Sequence, residues 1–301
     1  MNITHIVFSG GGILGISILG VLRYLYLENI VSNVKNIAGN SMGAYFCLLF
    51  SLKIPIQDIE SILYNYIGNY DYMNINDITL TDFFNKKGVD NFSSYIDLIK
   101  NYLKDKDENF KGDITFSELS KIYGINLYIS TTNINKCENF IFSIDSTPDI
   151  SIFDATIASM NIPIIGTAIN IDGEYYVDGA LTNNFPVNIF NNIHKDLILC
   201  VIIKPDETDD YTKIIPKNTE LSFLNYNYQI IKILLNNTYK QSFTSLIDHK
   251  KNNILIISKF HDIEYLPITF NKNNINKKVS KQDLDNLILT GFIQANAYFN
   301  K

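Results

Sequence analysis

Cysteine and histidine are scarce in this 301-residue chain, cations are outnumbered, and no apolar run is long. Each shortage excludes something. Three cysteines, Cys47, Cys137 and Cys200, stand far apart. An odd, widely spaced set builds neither a disulfide framework nor a zinc site, so no metal is expected. Cys47 and Cys200 lie in apolar runs and read as buried thiols, which suits a reducing, cytoplasmic setting. Lys and Arg total 25 against 31 Asp and Glu, a formal net charge of −6. That balance excludes a broad electrostatic preference for nucleic acid and gives no general pull toward anionic membranes. The apolar stretch Ile13 to Leu22 is closed by Arg23 and is too short to span a bilayer. Nothing basic precedes it, so a signal peptide is disfavoured. The expectation is a soluble protein that can still touch a membrane surface.

Hydrophobic residues make up 46% and charged residues 19% of the chain, which is enough apolar material for a globular core. Asn, Ile, Lys and Tyr are abundant, a bias of A/T-rich genomes such as those of large DNA viruses. Asparagine pairs such as Asn191-Asn192, Asn252-Asn253 and Asn273-Asn274 mark loops. No internal repeat is present.

Hydrophobic periodicity places short strands between helices. His5 to Ser9 is β-rich, Gly10 to Gly12 is a turn, and Ile13 to Asn29 has helical spacing. Asn36 to Gly39 leads into Ser41, and Met42 to Leu52 reads as a buried helix. Pro55 opens a further helix through about Tyr66. Residues 70 to 112 are less regular, and the mixed-charge run Lys100 to Lys111 reads as a solvated helix and loop. Beyond Asp113 the spacing predicts a helix over 115–123, strands over 125–131 and 140–142, a helix over 154–160 and a strand over 175–177. A buried strand over 197–203 follows, then a long helix or pair over 219–247 and a strand over 254–257. A last helix is capped by Ser280 and Asp283. Alternating strands and helices argue an α/β fold with a mainly parallel sheet.

Three motifs carry chemistry. Gly39-Asn40-Ser41-Met42-Gly43 fits a serine on a sharp strand-to-helix turn, where neighbours two residues away must be small. Ser9-Gly10-Gly11-Gly12-Ile13-Leu14-Gly15 could turn backbone N–H groups toward an oxyanion, beside the positive end of a helix. The same Gly10-x-Gly12-x-x-Gly15 also fits a dinucleotide-binding loop, but the second strand ends in Asn40-Ser41 and not in the required acid. Val177-Asp178-Gly179-Ala180 places an aspartate at a strand end, where a turn role is its ordinary use.

In this order, the three motifs resemble the signature of patatin-like phospholipases. Thr115 to Leu119, Ser146 to Asp149 and Asp154 to Pro163 resemble further segments of that family, so the likeness runs from about residue 5 to 205. The resemblance implies a three-layer α/β/α fold. It also implies a cofactor-free Ser–Asp dyad acting on fatty-acyl esters of phospholipids or other lipids, reached at a membrane or micelle surface. Ser41 would be the nucleophile, Asp178 the base, and Gly10, Gly11 and Gly12 the oxyanion loop, with Gly15, Gly39, Gly43 and Gly179 as motif glycines. One position departs: the family usually has Arg or Lys where Leu14 stands.

A triad would need a histidine. Of His5, His194, His249 and His261, only His261 follows a strand in a triad-like place. A dyad needs a more basic Asp178 than a solvated aspartate near 3.9, so partial burial is expected. The open alternatives are a histidine-dependent serine esterase and a catalytically silent α/β protein that binds lipid or nucleotide. The organisation expected is a single catalytic domain over 1–301. A cap or insert falls at about 70–112, bearing Phe83, Phe84, Phe92 and Tyr95, and a helical C-terminal extension begins at about 216.

Overall fold

The computed structural model describes residues 2–69, 92–204, 223–248, 253–258, 260 and 280–300. β1 (His5–Phe8) runs through a 3-10 turn, Gly12–Ile16, into α1 (Ser17–Leu27). β2 (Asn36–Asn40), α2 (Met42–Ser51) and α3 (Ile56–Asn69) follow. Then come α4 (Ser93–Lys106), α5 (Phe116–Tyr123), β3 (Asn126–Asn133), β4 (Glu138–Ser143) and α6 (Ile152–Met160). The chain continues through β5 (Ile169–Ile171), β6 (Glu174–Asp178), β7 (Ile198–Ile203), α7 (Phe223–Asp248), β8 (Ile254–Ile257) and α8 (Lys281–Phe299).

These elements start and stop where local chemistry says they should. Thr115 and Glu118 form a reciprocal capping box on α5, which ends at Gly124 in the left-handed conformation (φ 68°). Ser151 caps α6 by accepting from the N–H groups of Phe153 and Asp154. Ser280 and Asp283 form the box that opens α8.

Eight strands make one sheet. β3, β2, β1, β7 and β8 pair in parallel, while β4, β5 and β6 join antiparallel. The parallel part is the apolar centre. All six residues of β7 are buried, as expected of a strand covered on both faces. Alternate residues serve different layers. Ile6, Phe8, Ile37, Leu199 and Val201 face the large core that α1, α2, α6 and α8 complete. Val7, Ala38, Ile198, Cys200 and Ile202 face a smaller cluster with Phe185, Val187 and Phe190. Tyr239 of α7 packs against that second cluster. Helices therefore cover both faces of the sheet, a three-layer arrangement. Each fully buried Leu, Ile or Phe in these layers contributes roughly 1.5–3 kcal/mol.

Lys100 to Lys111 is the end of a helix and a loop, mostly exposed, as expected. The inward side of α4 is not solvated. α4 buries Tyr95, Ile96, Ile99 and Leu103, and the Tyr95 ring meets Tyr45 of α2 edge-on at 5.6 Å. Phe92 is half-buried, and Phe83 and Phe84 lie outside the described residues. Nor is the C-terminal region simply a helical extension. β8 pairs in parallel with β7, and α8 crosses α1 so closely that a Cβ on Gly20 or Gly291 would strike the facing helix backbone.

Candidate active site

The Ser41 turn is built by close packing. β2 ends at Asn40, α2 begins at Met42, and Ser41 between them has φ 52° and ψ −127°. A non-glycine residue is strained there, at a cost of about 1–3 kcal/mol, and persists only where its surroundings hold it. Gly43 lets the start of α2 lie against the end of β1, where a Cβ would sit 2.5 Å from the Ser9 carbonyl oxygen. Gly39 faces the Gly43 backbone and Cys47 Sγ, each 2.7 Å from where its own Cβ would be. The Ser41 N–H donates to Ser159 Oγ at 2.8 Å, and Ser159 Oγ–H donates to the Ser130 carbonyl at 2.7 Å. Ser41 itself is 7% exposed, so its surroundings largely exclude water.

Asp178 arrives from the other direction. β4 covers one edge of β3 from Tyr128 to Asn133, so β2 and β6 share the opposite edge. β2 runs parallel to β3 and ends with Asn40 opposite Ser130. β6 runs antiparallel and ends with Asp178 opposite Thr131. The carboxyl ends of the two strands thus meet on consecutive residues of β3. Asp178 is held at both backbone groups: its N–H donates to the Asn161 carbonyl at 2.9 Å, and its carbonyl accepts from Thr132 Oγ1 at 2.9 Å.

The Asp178 side chain is fully buried, beyond the partial burial expected. Its Oδ1 accepts from Asn40 Nδ2 at 3.1 Å and from the Ala180 N–H at 2.8 Å. Oδ2 is buried, and among the described residues no donor meets hydrogen-bond geometry with it. Desolvation raises the carboxyl to about 6, against the lowering effects of the Ala180 N–H, the Ser41 hydroxyl and the Asn40 amide. A carboxylate with one occupied and one unclaimed oxygen, beside a serine hydroxyl, can take a proton through Oδ2.

The glycine loop lies against the same turn. Gly15 packs on Met42, the residue after Ser41, with its would-be Cβ 2.6 Å from Met42 Cγ. The Gly10 N–H donates to the Asn184 carbonyl at 3.0 Å. The Gly10 N–H is therefore committed within the protein. Gly12, at φ 49°, opens the 3-10 turn. Leu14 is fully buried in the core, where a Lys or Arg would have to give up its hydration. The dinucleotide reading gains no support, because the β2 end supplies no ribose-binding acid and Asn40 is committed to the site's interior.

Sequence reasoning missed four polar residues here. Asn40 bridges Asp178 Oδ1 and Asn184 Oδ1, both at 3.1 Å. Ser159 holds the Ser41 N–H, Asn184 anchors Gly10, and Ser130 supplies the carbonyl under Ser159. Asn40 stood within the serine motif without a role read for it. Ser159 carried only the family likeness of its segment. Histidines add nothing among the described residues. His5 and His194 sit at the amino ends of β1 and β7, away from Ser41, and His249 and His261 lie outside the described residues. A surface groove of about 980 Å³, lined by Arg23, Tyr26, Lys35, Phe50 and Lys53, also borders the amino end of β2 and is remote from this chemistry. Among the described residues no helix is long and apolar enough to cross a membrane.

The chain is thus an α/β protein with a strained serine at a strand-to-helix junction, a buried aspartate on the neighbouring strand end and a glycine loop beside them. The chain belongs to the patatin-like phospholipase family, whose model matches residues 6–191. It is 29% identical over 189 residues to the probable lipid hydrolase 463L of Invertebrate iridescent virus 6, a match covering 63% of each chain. It is 27% identical over 263 residues to protein R571 of Acanthamoeba polyphaga mimivirus, across 87% of this chain and 84% of that one. Both relatives are viral, in keeping with the compositional bias. VipD from Legionella pneumophila shares the fold, with a TM-score of 0.60 at 16% identity, over 100% of this chain and 67% of that one.

Proposed function

We propose that the chain is a lipid acyl hydrolase of the phospholipase A or lysophospholipase type, working through Ser41 and Asp178 without a cofactor. The observation that carries this reading is the buried Asp178 carboxyl, raised to about 6 with Oδ2 unclaimed, next to a serine on a strained turn. A solvated aspartate near 3.9 would be too weak a base for a serine proton at neutral pH.

In the first step Ser41 Oγ bonds to the ester carbonyl carbon as its proton passes to Asp178 Oδ2. The carbonyl oxygen becomes an oxyanion, received by the Gly11 and Gly12 N–H groups and by the first-turn N–H groups of α2, which have no partner inside the helix. The intermediate collapses, the alcohol or lysolipid takes the proton from Asp178, and an acyl-Ser41 ester remains. Water then gives a proton to Asp178 and bonds to the acyl carbon. Collapse releases the fatty acid and returns the proton to Ser41.

Ser41→Ala should abolish hydrolysis of both a dispersed phospholipid and a short-chain soluble ester. It should also abolish labelling by an alkyl fluorophosphonate, with the circular dichroism spectrum unchanged. Turnover retained in that variant would end the proposal. His261→Ala should keep the activity, whereas its loss there with Asp178→Asn active would favour a histidine-dependent esterase.

A further inference from the structure

Asn161 is tied to both halves of the site, yet among the described residues its own amide pairs with no protein group. It closes α6 as the C-terminal cap, two residues after Ser159. Ser159 Oγ accepts the Ser41 N–H at 2.8 Å, and the Asn161 main-chain carbonyl accepts the Asp178 N–H at 2.9 Å. The stretch from Ser159 to Asn161 is therefore bonded to Ser41 at one end and to Asp178 at the other.

The Asn161 side chain is fully buried, with neither its amide oxygen nor its amide nitrogen paired. A buried polar group left so costs about 1–3 kcal/mol. Asp178 Oδ2 is in the same condition. Three such atoms thus sit on two residues joined by a main-chain hydrogen bond, a contact that sets Cα atoms about 5 Å apart. One small molecule, with hydrogen bonds of about 2.8 Å on either side, spans that separation. Gly166 leaves room for it, since a Cβ there would stand 2.7 Å from Asn161 Oδ1.

Size and chemistry set the occupant. Asn161 and Asp178 have no exposure to solvent, so the place between them admits nothing as large as a lipid head group. Buried polar atoms of this kind are met by water, which bonds to about three of them. Asp178 Oδ2 and Asn161 Oδ1 are both acceptors, so together they claim both hydrogens of one water and leave its lone pairs free.

We propose that Asn161 and Asp178 hold between them the water that hydrolyses the acyl-Ser41 ester. This rests on the hydrolase reading and gives its second half a residue of its own. The water oxygen bonds to the acyl carbon through a lone pair, and the hydrogen on Asp178 Oδ2 passes to the carboxylate. The hydrogen on Asn161 Oδ1 stays on the oxygen and becomes part of the fatty acid's carboxyl group. Collapse then breaks the bond from the acyl carbon to Ser41 Oγ, and Oγ recovers the proton from Asp178. Asn161 neither gives nor takes a proton; it aims the water. Formation of the acyl-enzyme uses no water, so Asn161 has no part in that step.

Two variants isolate the second half. Asn161→Leu replaces the amide by an apolar group of similar size, and Asn161→Ala removes it. Both keep the main-chain carbonyl that holds Asp178. Stopped-flow hydrolysis of a short-chain p-nitrophenyl ester reads the two steps separately. Each variant should release about one equivalent of nitrophenol per enzyme at the wild-type rate and then turn over roughly tenfold more slowly, or slower still. kcat and KM should fall together, so that kcat/KM, which reports acylation, stays within about threefold. Intact-protein mass spectrometry should find the acyl group on Ser41 at higher occupancy than in the wild type, and hydroxylamine, which needs no held water, should discharge it. An equal fall in kcat and kcat/KM with no acyl-enzyme building up would overturn the proposal, because Asn161 would then only support the site. An unchanged steady-state rate would overturn it too. So would loss of fluorophosphonate labelling of Ser41 in both variants, which would tie Asn161 to the Ser41 turn itself. In each of those cases an active wild type leaves the hydrolase reading standing. A wild type that forms no acyl-Ser41 ends that reading and this proposal together.

Discussion

Two turns meet at the site, and they are held by opposite means. The Ser41 turn is a matter of space: backbone strain, two flanking glycines and main-chain groups packed at their closest approach. The Asp178 turn has ordinary backbone angles (φ −49°, ψ 129°) and is a matter of solvation, a buried carboxyl partly met by an amide and an N–H. Steric demands leave a mark on a short stretch of sequence, because only glycine satisfies them. Demands of solvation leave almost none, because the partners of Asp178 come from residues 40, 132, 161 and 180.

Four substitutions would sharpen or break this contrast. The largest effect is expected from Asp178→Asn, which should lower kcat by roughly 10⁴-fold, the order seen when a buried catalytic carboxylate loses its charge. Its effect on stability should have the reverse sign. The folded carboxyl, at about 6, holds its proton more tightly than the unfolded one near 3.8. Stability therefore falls as pH rises through that window, and the full penalty, about 3 kcal/mol, is present above it. The asparagine variant should melt at a higher temperature than the wild type at pH 8, and the gain should vanish by pH 4. A variant that melts lower at both would show that the carboxylate is not a solvation burden.

Gly43→Ala comes next, and it probes space alone. The added methyl meets the Ser9 carbonyl, so a loss of about 1–3 kcal/mol is expected at every pH in thermal or urea unfolding. A pH-independent loss here beside the pH-dependent gain at Asp178 is the signature of the two different constructions. Ser159→Ala leaves the Ser41 N–H without its buried acceptor. If the lost bond relaxes the strained turn, kcat should fall about 10- to 100-fold with KM little changed. An equal rise in KM would mean that Ser159 shapes the substrate's place and not the turn.

The smallest expected effect is a pH shift. The proposed mechanism needs Asp178 ionised, so kcat/KM should rise with pH through about 6. Asn40→Ala removes a hydrogen bond that favours the ionised form, so this limb should move to higher pH by about one unit or less. A limb that moves lower would exclude Asn40 as a donor to the base.

Much of the fold was legible. β7 and β8 stood out as apolar runs, α5 was bounded by a cap residue and a glycine, and α8 by Ser280 and Asp283. The helix expected from residue 13 to 29 begins instead with a 3-10 turn, because the glycine loop bends back on Met42 before α1 can straighten. β4, β5 and β6 were harder to place: which strands pair antiparallel depends on contacts with β3 far along the chain. The network of Asn40, Ser159 and Asn184 was not legible for the same reason. Polar residues of these types occur all along an asparagine-rich chain, and only folding selects three of them.

The shared edge of β3 has a consequence for how this chain tolerates change. Neighbouring residues of a strand are spaced by about 3.3 Å, and that repeat alone separates the landing points of Asn40 and Asp178. The 138-position separation of those two partners along the chain does not enter into it. Loops and helices between α2 and β3 can lengthen, shorten or be exchanged without altering the spacing of Asn40 and Asp178. One residue inserted between Ser130 and Thr131 would alter it at once. The segments between these strands can therefore diversify while the two strand ends stay in register on one peptide bond of β3.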